Sequence, residues 1–191
     1  MKRIAAVVLS VFVVFLMLCP LQGRQSTAPA QEGIKRLETR IQALLQDVDG
    51  VMGVAAKHLE SREEFFINGD TAFPMASTFK VPIFVEVMAQ ISEGRFNLED
   101  EIAIQKTDQH LGSGMLSDLD APGIKLSVRN LINMMMMISD NSATDILLIK
   151  VDADNVNARL RTFGIKDINV ARTCQELIMD IIGLDYEKLR G

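Results

Sequence analysis

The apolar residues follow a helical period over most of the chain and a strand period in one short region. Residues 34–45 show the i, i+3, i+4, i+7 spacing of an amphipathic helix. After Asp49-Gly50, residues 51–59 and 64–67 form short stretches rich in Val or Phe, which predicts a β-hairpin. Two strands do not make a stable sheet alone, so the pattern leaves this hairpin without the rest of its sheet.

Helical patterns dominate from Thr78 onward. Ser127 is a favourable N-cap for one of these helices, and the spacing of Ser142 and Asp145 predicts a capping box for the next. Four consecutive methionines, residues 134–137, point all round a helix, which predicts a helix buried on every side. The predicted helices cover residues 79–92, 128–138, 143–151 and 155–163, and the last of them ends at Gly164.

The start of the chain has the pattern of an export signal. Lys2 and Arg3 precede an unbroken apolar run over residues 4–18, and a polar stretch follows over residues 22–32. The run is short for a membrane span, and Leu18 is bulky where lipidation of Cys19 would require a small residue. We therefore predict a signal peptide and spacer over residues 1–30, with a membrane anchor and a lipoprotein as the alternatives.

Charge and composition exclude several classes of function. The net charge of the 191-residue chain is −5 and no basic cluster exceeds a dipeptide, so nucleic acid is excluded as a partner. The second of the two cysteines, Cys174, would be the one thiol of a mature chain, which leaves no internal disulfide. His58 and His110 lack metal-site spacing, and we predict that both are surface residues and that there is no metal.

The first candidate for chemistry is Ser77-Thr78-Phe79-Lys80. Residues three apart share one face of a helix, so the Lys80 amine can lie near the Ser77 hydroxyl and accept its proton. Burial among apolar neighbours would lower the pKa of the lysine. A serine at a helix start also has free backbone N–H groups nearby, which suit a developing oxyanion.

The second candidate is Ser139-Asp140-Asn141, placed at a break between two predicted helices. Ser139 could pass a proton to a leaving nitrogen, and the Asn141 amide could hold a substrate carbonyl. The alternative interpretation is that these residues only connect and cap two helices. That structural role would remain even if the residues also have the functional role.

Together these motifs give the chain a family resemblance. S-x-x-K followed about sixty residues later by S-D-N is the signature of class A β-lactamases and related penicillin-binding proteins. Further segments resemble class A sequences in the same order, and the resemblance extends from about Ile34 to the end of the chain. The segments are residues 75–82, 112–116, 126–131 and 139–145.

The resemblance implies an α/β (α+β) fold of the β-lactamase/D,D-peptidase kind, with a helical domain beside an antiparallel sheet. In such an enzyme Ser77 would form the acyl-enzyme, Lys80 would assist its deprotonation and Ser139 would protonate the β-lactam nitrogen. Asn141 would bind the substrate amide, and the Ser77 N–H would supply half of the oxyanion hole. The partner would be a small-molecule β-lactam. We expect an exported monomer, periplasmic or secreted, with no cofactor and no stable membrane span after signal cleavage.

The chain departs from the family at the residue that hydrolyses the acyl-enzyme. Counting from Gly164, Arg172 takes the place of the family's arginine, which puts Cys174 where the deacylating glutamate should be. A thiol of ordinary pKa is a poor base for water. Glu176 could replace that glutamate if the loop is re-formed, so it is retained as a candidate deacylation base.

The second departure concerns the C-terminal side. The Lys-Thr-Gly strand that binds the substrate carboxylate in the family would lie beyond Gly191, so residues 31–191 are predicted to be a partial catalytic domain with only the first helix and two strands of its sheet. Three hypotheses remain: a β-lactamase, a D,D-peptidase-like or penicillin-binding hydrolase with slow deacylation, and an inactive truncated product.

Overall fold

A computed structural model of the chain describes residues 28–185. The predicted signal peptide and Cys19 lie outside these residues, apart from the last positions of the spacer. The described chain forms two compact units that divide between Phe73 and Pro74. Within it, no helix has the length and apolar content that a membrane crossing requires.

The described part of the first unit contains one helix and one hairpin, as the sequence pattern predicts. Helix α1 (Ala28–Leu45) packs against β2 (Glu64–Ile67), which pairs antiparallel with β1 (Val54–Lys57). The strand β1 is shorter than predicted because the chain before Val54 carries Gly50 and Gly53 and does not enter the ladder.

Over residues 74–185, the second unit contains five α-helices and a short ladder. A 3-10 turn, Ala76–Phe79, leads into α2 (Lys80–Ser92), and the later helices confirm the predicted order. The ladder of β3 (Glu101–Ala103) and β4 (Lys125–Ser127) was not predicted from the sequence; its strands have three residues each and pair antiparallel. The remaining helices are α3 (Val128–Met137), α4 (Asn141–Val151), α5 (Ala153–Thr162) and α6 (Cys174–Ile181).

Helix α4 lies at the centre of the second unit. It contacts each of the helices α2, α3, α5 and α6. Because it is covered on several sides, its polar side chains are buried together with its apolar ones and must find partners inside the protein. The buried residues of α4 are Ser142, Ala143, Thr144, Asp145, Ile146, Leu147, Leu148 and Val151.

A charge network around the buried Glu86 joins α2 to α5. The Glu86 carboxylate is buried and accepts from Arg159 Nε at 2.8 Å and from Gln90 Nε2 at 2.8 Å. A second Arg159 nitrogen reaches Glu93 at 2.5 Å, and Gln90 also donates to the carbonyl of Val151. The two carboxylates raise the pKa of the Arg159 guanidinium, which therefore stays charged.

Three predictions from the sequence are corrected here. The helix after the Ser139 break begins at Asn141 and is capped by Asp140, so the capping box of Ser142 and Asp145 was wrong. The methionine run is not buried all round: Met135 is buried, but Met137 is 80% exposed because α3 presents one face to the core. His110 is also buried and not a surface residue.

The segment after α5 is fixed by one side chain. Asn157 of α5 donates from Nδ2 to the Val170 carbonyl at 2.8 Å, and its Oδ1 accepts from the Val170 N–H at 2.8 Å. Val170 is buried, so these backbone groups have lost their contact with water. Asn157 therefore holds in place the segment that leads to α6.

We predict that Asn157→Ala lowers the free energy of unfolding by about 1–3 kcal/mol, because it leaves two buried backbone groups without partners. Urea denaturation would measure the change. The matched control is Asn155→Ala on the same helix, which removes a single hydrogen bond from an exposed residue and should cost less than about 1 kcal/mol. Equal losses in the two variants would contradict this role of Asn157.

Candidate functional site

Ser77 lies on a sharp turn at the start of α2. Its predecessor Ala76 has a left-handed φ of 44°, and Thr78 Oγ1 donates to the Met75 carbonyl, which closes the turn. Ser77 itself is exposed. Among residues 28–185, no backbone hydrogen bond uses the Ser77 N–H. The hydroxyl and this N–H are therefore both available to a bound molecule.

Lys80 is buried, with 3% of its surface exposed, and its ammonium group has three acceptors. Nζ donates to the Ser139 carbonyl at 2.6 Å, to Ser139 Oγ at 2.9 Å and to Asn141 Oδ1 at 2.8 Å. The expected proximity to Ser77 is achieved through Ser139, whose Oγ donates to Ser77 Oγ at 3.0 Å. Ser139 thus links the lysine and the first serine in one hydrogen-bonded line.

The charge on Lys80 is set by opposing effects. Burial lowers the pKa of Lys80 from its ordinary value, while the negative charges of Asp140 and Asp145 act in the opposite direction. Burial is the largest of these effects, so the neutral amine is more accessible than in an exposed lysine. A lysine in this state can accept a proton from a hydroxyl.

The turn that carries Ser139 and Asn141 is held by Asp140, whose carboxylate is buried. Asp140 Oδ2 accepts from the N–H groups of Met115 and Leu116 at 2.8 Å each, and Oδ1 accepts from Ala143 at 2.9 Å. Ser139 has a left-handed φ of 59°, and its hydroxyl lies between Lys80 Nζ and Ser77 Oγ. A single carboxylate therefore fixes the turn and the 112–116 loop together.

Two glycines let this loop approach the turn. A Cβ at Gly112 would collide with the Asn141 side-chain amide, and one at Gly114 would collide with the Asp140 carboxylate. Both have positive φ angles, 107° and 124°. The Ser113 carbonyl between them accepts from the Asn141 N–H at 2.8 Å. The Gly-Ser-Gly sequence is therefore a packing requirement of the site.

A cleft of about 510 Å³ opens in front of Ser77. Asn141 borders it on the side of α4, and the 169–172 segment and α6 form the facing wall. The side chains that α6 contributes are Cys174, Leu177, Ile178 and Ile181. The part of this wall that α6 contributes is apolar apart from one thiol, so it suits an apolar substrate group better than a water molecule, while Asn169 and Arg172 add polar groups from the preceding segment.

Cys174 lies at the first position of α6, near Lys80 and Asp145. It is 5% exposed. Burial, together with the negative charge of Asp145, raises the pKa of the thiol to about 12, and the opposing effect of Lys80 is smaller. Cys174 is therefore a neutral thiol at physiological pH and cannot act there as a general base.

Glu176 is engaged elsewhere. Its Oε2 accepts from the Thr173 N–H at 2.7 Å and from Thr173 Oγ1 at 3.0 Å, and Thr173 Oγ1 accepts from the Glu176 N–H. This capping box turns the carboxylate back onto the start of its own helix. The structure thus brings Ser77, Lys80, Ser139 and Asn141 together and leaves Glu176 outside this group.

The arrangement supplies the groups that nucleophilic catalysis by a serine requires. It offers an exposed hydroxyl, a proton acceptor linked through a second hydroxyl, and a side-chain amide at the edge of a cleft. Among residues 28–185, no three His, Cys, Asp or Glu side chains cluster closely enough to bind a metal ion. The chemistry that this geometry supports is acyl transfer through a serine ester.

A protein-family model matches most of the chain. The model described as the beta-lactamase enzyme family matches residues 36–188. Among curated relatives, beta-lactamase VEB-1 of Pseudomonas aeruginosa is 27% identical over 75% of this chain and 49% of its own length. Beta-lactamase SME-1 of Serratia marcescens is 24% identical over 84% of this chain and 52% of its own. The chain spans about half the length of the curated relatives it matches.

Solved structures give the same fold. A beta-lactamase from Sphaerobacter thermophilus is 33% identical with a TM-score of 0.59, over 64% of this chain and 45% of that one. An ancestral class A beta-lactamase is 27% identical with a TM-score of 0.68, over 74% and 54%. PBP-A, 23% identical with a TM-score of 0.68 over 75% and 54%, supports the fold alone. The predicted α/β (α+β) fold is confirmed.

We predict that Asp140→Asn lowers the free energy of unfolding by about 2–4 kcal/mol, because an amide NH₂ would replace one of the oxygens that accept backbone N–H groups. Urea denaturation measures this. Asp120→Asn, which changes an exposed aspartate, is the control and should change stability by less than about 0.5 kcal/mol. If Asp140→Asn were as stable as that control, the carboxylate would not be holding the turn.

Proposed function

This chain belongs to the beta-lactamase enzyme family, and on that premise we propose that it is a class A serine β-lactamase that hydrolyses β-lactams through an acyl-enzyme on Ser77. The observation that carries the proposal is the hydrogen-bonded line from Ser77 Oγ through Ser139 Oγ to Lys80 Nζ, which opens on a cleft. In the proposal, four side chains carry substrate binding and the acylation step: Ser77, Lys80, Ser139 and Asn141.

In the acylation step the neutral Lys80 amine receives the Ser77 proton through Ser139. Ser77 Oγ then forms a bond to the β-lactam carbonyl carbon, and the carbonyl oxygen becomes an oxyanion that the Ser77 N–H can stabilise. When the C–N bond breaks, Ser139 gives its proton to the ring nitrogen and regains one from Lys80. Burial of Lys80 supports this route because it makes the neutral amine accessible.

Asn141 has a binding role in the proposal. Its Oδ1 accepts from Lys80, so its side-chain orientation is fixed and Nδ2 is left as the donor. That donor reaches the Leu111 carbonyl at a long 3.5 Å. A substrate amide carbonyl at the edge of the cleft would be a better acceptor.

The residues available for deacylation favour a second candidate function. A β-lactamase needs a base to activate water, and the thiol of Cys174 stays protonated because its pKa is raised to about 12. Glu176 would have to leave Thr173 to take that role. This favours a penicillin-binding hydrolase of the D,D-peptidase-like kind, in which the ester on Ser77 persists. Glu176 as deacylation base stays a prediction.

The proposal also includes the location of the protein. The charged start and apolar run of residues 2–18 support export, and the substrate would then be met in the periplasm or outside the cell. We propose that the protein works there as a monomer, without a metal or cofactor.

The acylating residue is tested by intact mass. After incubation with benzylpenicillin, the protein is expected to gain the mass of one molecule, and Ser77→Ala is expected to gain none, because the nucleophile is removed. Ser113→Ala, a change to an exposed serine of the neighbouring loop, should still be acylated. A folded wild-type chain that never forms the adduct would contradict the proposed function.

The deacylation step is tested at Cys174. Cys174→Glu places a carboxylate beside the ester and is expected to shorten the lifetime of the adduct by about 10²–10⁴-fold, which is the usual contribution of a general base. Cys174→Ser keeps the size of the side chain without adding a base and should leave the lifetime unchanged.

The same lifetime measurement decides between the two candidate functions. If the wild-type adduct already turns over rapidly and Glu176→Gln traps it, Glu176 is the base and the protein is a true hydrolase. If the adduct persists in both proteins, the penicillin-binding function holds.

A further inference from the structure

A second group of buried polar side chains, separate from Lys80 and its acceptors, lies between α4 and α6. Asp145 of α4 is 1% exposed, and its carboxylate accepts from the Cys174 N–H at 2.7 Å and from the Gln175 N–H at 3.0 Å. These are the first two N–H groups of α6, which have no partner within their own helix. A carboxylate at this end of a helix also interacts favourably with the helix dipole. Asp145 therefore fixes the start of α6.

His110 faces the same carboxylate. Its Nε2 lies 3.5 Å from Asp145 Oδ2, and the histidine side chain is 6% exposed. The backbone N–H of His110 donates to Ser142 Oγ of α4 at 2.8 Å, so the residue is anchored to the helix that carries Asp145. The backbone of His110 is thus anchored to α4, and its buried imidazole lies against the Asp145 carboxylate inside the protein.

The carboxylate needs such a neighbour because it is buried. Burial raises the pKa of Asp145, while the two backbone hydrogen bonds from Cys174 and Gln175 lower it. The other ionisable side chains nearby are Cys174, a neutral thiol, and Lys80, which is committed to three acceptors of its own. A protonated Asp145 would have one carbonyl oxygen for the two N–H groups of Cys174 and Gln175. One of these two hydrogen bonds would then be weakened.

We propose that His110 is a positioning residue for the Ser77 cleft: through Asp145 it holds the start of α6, and with it the cleft wall formed by Cys174, Leu177, Ile178 and Ile181. The contact of this wall with substrate rests on the proposed function. The role of His110 in holding the wall does not depend on it. The shape of the cleft is thus maintained from a residue that has no contact with Ser77 in the described hydrogen-bond network.

Cys174 offers a direct readout of the position of α6. Its thiol is buried and largely protonated, so thiol reagents should modify it slowly in the native protein. The experiment measures the labelling rate of Cys174 in the full chain, with peptide mapping to separate it from Cys19. His110→Ala is expected to raise that rate on the order of tenfold, because the start of α6 opens more often.

Two further variants distinguish positioning from a general structural effect. His110→Asn keeps a side-chain N–H donor and should restore part of the protection. His58→Ala changes an exposed histidine of the hairpin region and should have no effect on Cys174. In an Asp145→Asn background the additional effect of His110→Ala should disappear, because the interaction that it removes is already lost.

Hydrogen exchange locates the opening. Protection should fall in residues 173–181 of His110→Ala and remain unchanged in α2. An equal loss of protection in α2 would mean global destabilisation and would overturn the proposal. So would a labelling rate equal to that of His58→Ala, or an undiminished effect of His110→Ala in the Asp145→Asn background.

The cleft itself is tested by acylation kinetics. With its wall loosened, His110→Ala should need several-fold more benzylpenicillin for half-maximal acylation, while the limiting rate stays the same because Asp140 holds the reacting groups separately. If no variant is acylated, the proposed function fails, but the labelling and exchange results still decide the role of His110.

Discussion

The burial of α4 is the constraint on which the rest of the site depends. Since other helices cover it on several sides, each polar group that it carries or begins with must be paired within the protein. Asp140 takes three N–H groups from two segments, Ser142 takes one from His110, and Asp145 takes two from the start of α6. These pairings are also what brings the 112–116 loop, the Ser139 turn and the cleft wall to one place.

Lys80 shows why such a site must be built from several segments. Burial lowers the pKa of the amine, but an amine without hydrogen-bond partners would have no fixed direction. Its three acceptors come from the Ser139 turn, which is itself held by Asp140. The lysine therefore combines a lowered pKa with a defined geometry, and the hydroxyl of Ser139 completes the connection to Ser77. Loss of the turn would remove the route for the proton even with Ser77 and Lys80 intact.

Patterning predicted the elements that have long apolar periods or strong end signals. The helix from Lys80 was found because its apolar residues and Gly94 define it, and Ser127 caps α3 as its sequence suggests. The strands β3 and β4 have three residues each, too short for a period to show. Helix α6 was missed although Thr173 and Glu176 have capping-box spacing, a local signal that could have found it. The burial of His110 depends on partners far along the chain, which no local pattern contains.

The two halves of the proposed reaction differ in how the described residues support them. The polar groups proposed for acylation are hydrogen-bonded to one another, from Asp140 through the Ser139 turn and Lys80 to Ser77. On the facing wall, α6 presents a protonated thiol at Cys174 and aliphatic side chains, which neither bind nor activate water. In the proposed reaction, the groups for acylation are fixed by α4, and the groups near the ester during deacylation come from α6. The lifetime of an ester on Ser77 would therefore depend on the helix that Asp145 anchors. On the proposed function, substitutions in α6 would therefore change the lifetime of an ester on Ser77 without any change to the nucleophile.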